Sequence, residues 1–159
     1  MRIENLYELI RGCRFGVHDI SRTELDPDNE LPRFNMPLEL GIFLGATKFG
    51  SGKQKQKLSL VLDREKYRYQ KYLSDISGQD VKAHEEQPAK AIKRVRDWLN
   101  NSPVDPEATK PGARKMTERY DRFIEELPAL CEVLHLHPEE VTFLDFRTIL
   151  EEWLTYNEW

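Results

Sequence analysis

The stretch from Cys13 to Gly45, CRFGVHDISRTELDPDNELPRFNMPLELGIFLG, constrains this chain more than any other. It opens with a short apolar run, Phe15 to Ile20, that carries a carboxylate, Asp19, near its end. A polar loop from Ser21 to Phe34, rich in Asp, Asn and Pro, follows. Asn35-Met36-Pro37-Leu38-Glu39-Leu40-Gly41 then opens a helix, with Asn35 suited to the N-cap and Pro37 to the first turn. Strand, loop and helix make the unit of an open α/β sheet, and such sheets bind ligands beyond the carboxyl ends of their strands. The run Phe15, Val17, Ile20 predicts a strand, Cys13 to Asp19, covered by helices. Glu39 stands between two leucines in an otherwise apolar first turn. The helix dipole alone stabilises a carboxylate there. Alternatively Glu39 projects into the crevice at the strand ends, where a carboxylate can attack an anomeric carbon or stabilise an oxocarbenium ion. Asp19, Asn35 and Asp63 are the nearby polar groups to hold ribose and base.

Around this stretch the pattern alternates between helix and strand. Ile3, Leu6, Tyr7 and Ile10 share one face of a helix from Arg2 to Arg11, with Gly12 as its C-cap. A domain of this class opens with a strand, so a first strand–helix unit is expected to be missing. The helix after Asn35 is expected to reach Ala46 and to bury Leu38, Ile42, Phe43 and Leu44, and Phe49 to Lys57 reads as a flexible basic loop. A second strand, Leu58 to Asp63, also ends in a carboxylate, which reaches the same sheet edge if the strands are parallel. A short strand around Val81 and an amphipathic helix from Pro88 to Asn100 complete an α/β domain at residues 1–101. Residues 102–112 form a linker by composition, and 113–159 form a helical appendage. Its first helix, Ala113 to Leu134, is expected to break or kink at Pro128, and its last runs from Phe143 to about Tyr156.

Several function classes drop out. The formal net charge of -4 leaves no overall basic footprint for nucleic acid. No apolar run approaches the length of a membrane span, and the acidic N-terminus is not a secretory signal. Cys13 and Cys131 make no disulfide framework, so a reducing, cytoplasmic compartment is expected. A phosphate-loop reading of Gly45 to Lys53 fails, because Ser51 stands where Lys is required and the stretch follows a helix. His18, His84, His135 and His137 lack partners at metal-ligand spacing, so neither a metal nor a cofactor is expected. In the segment from Lys66 to Tyr72, tyrosine and arginine can stack a base and hold a phosphate. The alternative is a helix whose tyrosines cover the core, with Arg64 and Arg68 on the surface. The aromatics of the tail, Phe123, Phe143, Phe146, Trp153 and Tyr156 among them, read as internal packing or as a homodimer surface.

The strand ending in Asp19, followed by Phe34-Asn35-Met36-Pro37-Leu38-Glu39-Leu40-Gly41, resembles the nucleoside 2-deoxyribosyltransferase-like and TIR-like group. Those proteins place an Asn and a Glu-Leu-Gly at a helix start after such a strand. The stretches FNMPLELGIFLGA, VLDREKYRYQKYLSDISGQD and VRDWL also resemble a family of uncharacterised bacterial proteins that share this domain. The resemblance implies a short flavodoxin-like (Rossmann-like) α/β fold. It also implies that Glu39 works on the N-glycosidic bond of a nucleoside or of NAD, and that Asp19 helps bind ribose or base. The transferases carry an acid a few residues before the Glu; Arg33 and Phe34 lie there in this chain. Ser21 and Arg33 join Asn35 and Asp63 as candidate ligand-binding residues. The expected function is binding of a nucleoside, nucleotide or NAD, with hydrolysis or transfer through Glu39. The alternatives are a non-catalytic nucleotide-sensing or interaction domain of a bacterial stress or defence system, and an oligomerisation module built on the helical tail.

Overall fold

A computed structural model describes residues 2–28, 30–32, 34–102 and 110–157. The chain divides into two compact units, Met1–Ala108 and Thr109–Trp159. The first is an α/β unit with the order α1 (Arg2–Gly12), β1 (Phe15–Asp19), α2 (Asn35–Phe49), β2 (Leu58–Asp63), β3 (Val81–Ala83) and α3 (Pro88–Asn101). The three strands pair in the order β1-β2-β3, all parallel, as the alternation of strand and helix signals predicts. Asp19 lies opposite Leu62 and Asp63 opposite Ala83, so the acidic ends of β1 and β2 share one edge of the sheet.

Alternation along β1 decides which side chains meet α2. His18 is buried, and its ring meets Phe43 of α2 edge-on, with centroids 5.2 Å apart. Ile20 continues the ladder through its N–H to the Leu62 carbonyl and joins Leu40, Val61 and Tyr69 in the core. Each such side chain contributes about 2 kcal/mol by leaving water. Gly16 has no room for a side chain, since a β-carbon there would lie 2.8 Å from the Phe43 ring.

Helix α2 departs from expectation in two ways. It begins at Asn35 and is preceded by Phe34, which makes no side-chain cap bond, so Asn35 is not the N-cap. It also buries Leu40 and Phe43, while Leu38 is 55% exposed. Residues 36, 40, 43 and 44 form one inward stripe at helical spacing, and Leu38 falls on the far side. The helix is apolar nearly all round, so its period could not choose the inner face.

The end of α1 is held by a lysine rather than by Gly12, which is the helix's last residue. Lys57 is buried and its ammonium donates to the carbonyls of Ile10 and Cys13. The same cation sits 5.0 Å from the Phe43 ring centroid. These are the orphan carbonyls at the negative end of a helix, where a cation is favoured. Residues Gly52–Gln56 form a 3-10 turn that delivers Lys57, so the segment read as a flexible basic loop is ordered at its end.

The second unit consists of α4 (Ala113–Val133) and α5 (Phe143–Tyr156). Phe123, Cys131, Ile149 and Trp153 form its core, with the Phe123 ring 5.2 Å from Trp153 and 5.7 Å from Phe146. Helix α4 continues through Pro128 and is not broken there. Pro128 faces solvent, and the carbonyl its missing N–H leaves free belongs to Ile124, itself on the surface. Thr142 and Asp145 close a reciprocal capping box at the start of α5. Among the described residues, no helix is long and apolar enough to cross a membrane.

Replacing Lys57 by Met removes the donors to buried carbonyls and is expected to cost about 2 kcal/mol. Urea unfolding should show it, with exposed Lys53→Met as the unchanged control.

Candidate functional site

The carboxyl edge of the sheet is built around Asp63, whose side chain is 0% exposed. Its Oδ1 accepts the Arg64 N–H at 2.7 Å and lies 3.3 Å from Arg68 Nε. The Tyr72 hydroxyl faces both Asp63 Oδ2, at 3.0 Å, and the Ile20 carbonyl, at 2.9 Å. Burial, then the neighbouring Asp63 carboxylate, push the Tyr72 phenol far above its ordinary value, so it stays a donor. Arg68 is itself buried and reaches on to the Thr23 hydroxyl, at 2.9 Å, and to the Ser21 carbonyl. Arg64 extends the other way, pairing with Glu24 and lying 3.8 Å from Glu86. Neither arginine is the free surface residue that one reading of the sequence allowed.

Asp19 is more open. Its Oδ1 accepts the Ser21 N–H at 3.0 Å and lies 3.4 Å from His84 Nε2. His84 Nδ1 accepts the Glu86 N–H at 3.1 Å. An imidazole nitrogen that accepts carries no proton, so in the neutral ring the proton sits on Nε2, facing Asp19. Glu85 and Glu86 hold φ of 54° and 57°, and Gln87 N–H closes the turn onto the His84 carbonyl at 3.0 Å. Positive φ at both central positions is the type I′ geometry that Asn-Gly adopts easily, and it costs glutamates about 1 kcal/mol each.

Glu39 lies elsewhere. With Asn35, Leu38 and the α1 residues Ile3 and Leu6 it lines a hollow of about 300 Å³. The reason is in β1: His18 and Ile20 point toward α2, so Asp19 between them points to the opposite face. Thus Glu39 and Asn35 come together, and Asp19 and Ser21 come together, and the hollow that the first pair lines is not lined by the second. Asp63 is sealed inside the fold with its acceptors occupied. Arg33 falls outside the described residues. Of the three tyrosines, Tyr69 is core, Tyr72 serves Asp63, and Tyr67 lines a groove of about 500 Å³ beside β3 with Lys66, Lys82 and Arg94. The residues alone did not show that Arg68 and Tyr72 serve Asp63, or that His84 faces Asp19. His84 had a signal: it follows β3 directly, just as Asp19 and Asp63 close the other strands. Among the described residues no cluster of His, Cys, Asp or Glu is placed to hold a metal ion.

Comparison with family models, with curated proteins and with solved structures gave no match.

Two measurements follow. Asp63→Asn leaves the Arg68 charge buried without its counter-ion, and is expected to lower the unfolding free energy by about 3 to 5 kcal/mol in urea titrations. Burial holds the His18 imidazole below its ordinary value. The unfolded chain therefore binds the proton more tightly, and this part of the stability is present above the unfolded pKa and is lost as pH falls through the folded one. The urea midpoint should drop between pH 7.5 and pH 5, and should drop less in His18→Gln.

Proposed function

We propose that the α/β unit binds a nucleoside, or the nucleoside part of a nucleotide or of NAD, in the hollow of Asn35 and Glu39, and cleaves its N-glycosidic bond. The observation that carries this reading is that one carboxylate and one amide converge in a hollow of about 300 Å³ walled by Ile3, Leu6 and Leu38. That volume is at the lower end of small-ligand sites, and apolar walls with a few converging polar groups are their usual make-up. The resemblance of FNMPLELG to the deoxyribosyltransferase-like and TIR-like group supports the same role for Glu39.

The residues narrow the chemistry. Glycosidic cleavage from a neutral base calls for a general acid beside the nucleophile. The hollow holds one carboxylate and no other titratable group among its described lining residues. The suited substrate is then one whose leaving group departs without protonation, as the pyridinium of NAD does. Glu39 attacks C1′, the C1′–N bond breaks, and its electron pair neutralises the pyridinium nitrogen. Water then opens the glycosyl ester, giving the sugar hydroxyl, a proton and the free carboxylate. Asn35 holds the ribose hydroxyls. Asp19 and Ser21, on the other face of β1, take no part in the chemistry. The helical unit brings two copies of the chain together.

A second reading, non-catalytic nucleotide sensing, is favoured by the make-up of the hollow, since one acid and no pair of acids lines it among the described residues. Incubation with NAD and with deoxynucleosides, followed by chromatography, separates the two. Nicotinamide release is expected, falling by roughly a hundredfold or more in Glu39→Gln at unchanged circular dichroism. Asp19→Asn should keep its turnover number. Binding without release, seen by calorimetry, would leave sensing as the function, and full activity in Glu39→Gln would sink the mechanism.

A further inference from the structure

The helical unit offers more apolar surface than two helices can cover. Beyond its core, Val133, Leu134, Phe143 and Tyr156 are exposed, Phe143 to 81% and Tyr156 to 80%. A pair of helices this short has little stability of its own without further packing. Between α4 and α5 lies a groove of about 230 Å³, lined by Leu130, Val133, Ile149, Trp153 and Tyr156, with Glu126 and Glu152 also at its wall. Within one copy Arg122 lies over the Trp153 ring and 3.9 Å from Glu126, which leaves Glu152 as the groove-wall carboxylate without an ion pair among the described residues. A filler that suits it is therefore apolar along one stripe and basic beside it.

This chain contains such a segment. Residues 110–122 carry five Lys or Arg against two acids, whereas residues 123–157 carry eight acids against one Arg. All of these cations but Lys110 lie in the first half of α4, which also includes the apolar positions Met116 and Tyr120. We propose that two copies associate antiparallel through this unit, the basic first half of α4 in one copy lying along the acidic α4–α5 groove of the other. The idea rests on the reading that the helical unit pairs two copies, and it adds the direction and the contact. A two-fold axis makes the contact twice, because the same patch serves both copies. A parallel arrangement would set acid against acid along most of its length and is disfavoured. Opposite ends meeting in water also make the association sensitive to salt.

The test uses the full chain in sedimentation velocity. Wild type is expected to be a dimer at micromolar concentration that dissociates as ionic strength rises. One variant, Arg114→Glu with Lys115→Glu, reverses the basic end at two exposed side chains. A second, Glu152→Lys, reverses the groove wall. Each alone should weaken dimerisation by about tenfold or more. Mixing the two should restore a mixed dimer, since both contacts then regain opposite charges. Wild type that stays monomeric overturns the proposal together with the pairing reading beneath it. A dimer indifferent to both reversals keeps the pairing and overturns the antiparallel contact, and so does a mixture that stays apart.

Discussion

A carboxylate with no exposure to water, at the end of the central strand, governs the first unit. Asp63 would be intolerable there alone, because stripping water from a charge costs several kcal/mol. Its environment answers with the Arg68 guanidinium, the Tyr72 hydroxyl and a backbone N–H. The consequence spreads beyond the pair. Once Arg68 is drawn in, its remaining donors hold the backbone and hydroxyl of residues 21 and 23. Arg64, the next residue along from Asp63, ties Glu24 on one side and approaches Glu86 on the other. The segments after β1 and after β3 are thus arranged by residues that follow β2. A preorganised strand edge of this kind can present polar groups to a ligand without ordering them first.

The turn after β3 shows where that order is costly. Two consecutive glutamates in left-handed backbone are an unfavourable choice for a type I′ turn. The return is a fixed imidazole: the Glu86 N–H occupies His84 Nδ1 and leaves Nε2 as the donor toward Asp19. A histidine held in this way faces a carboxylate and is poorly placed to take a proton from a substrate, because its accepting nitrogen is spent on the backbone.

Much of the fold could be read from the residues because short apolar runs ending in Asp19 and Asp63 declare strands, and Pro88 and Thr142 sit at helix starts. The inner stripe of α2 could not, since Leu38, Leu40, Ile42, Phe43 and Leu44 surround the helix with apolar choices. The burial of Arg68 depended on register and on a turn of chain that no period reports. The separation of Glu39 from Asp19 was legible in principle. Strand alternation already placed His18 and Asp19 on opposite faces, and a helix packed on His18 could not also meet Asp19. What local pattern lacked was knowledge of which face α2 would cover.

Helix α1 is fastened at one end. Among the described residues, the hydrogen bonds tying it to the rest of its unit come from Lys57 and Gln54 and fall in its last turn and just beyond. Its opening residues Ile3 and Leu6 form a wall of the Glu39 hollow. At 1.5 Å per residue the helix is a lever about 16 Å long, with its fulcrum at Lys57. The hollow beside Glu39 is therefore walled by the end of α1 that lies farthest from its hydrogen-bonded lysine anchor.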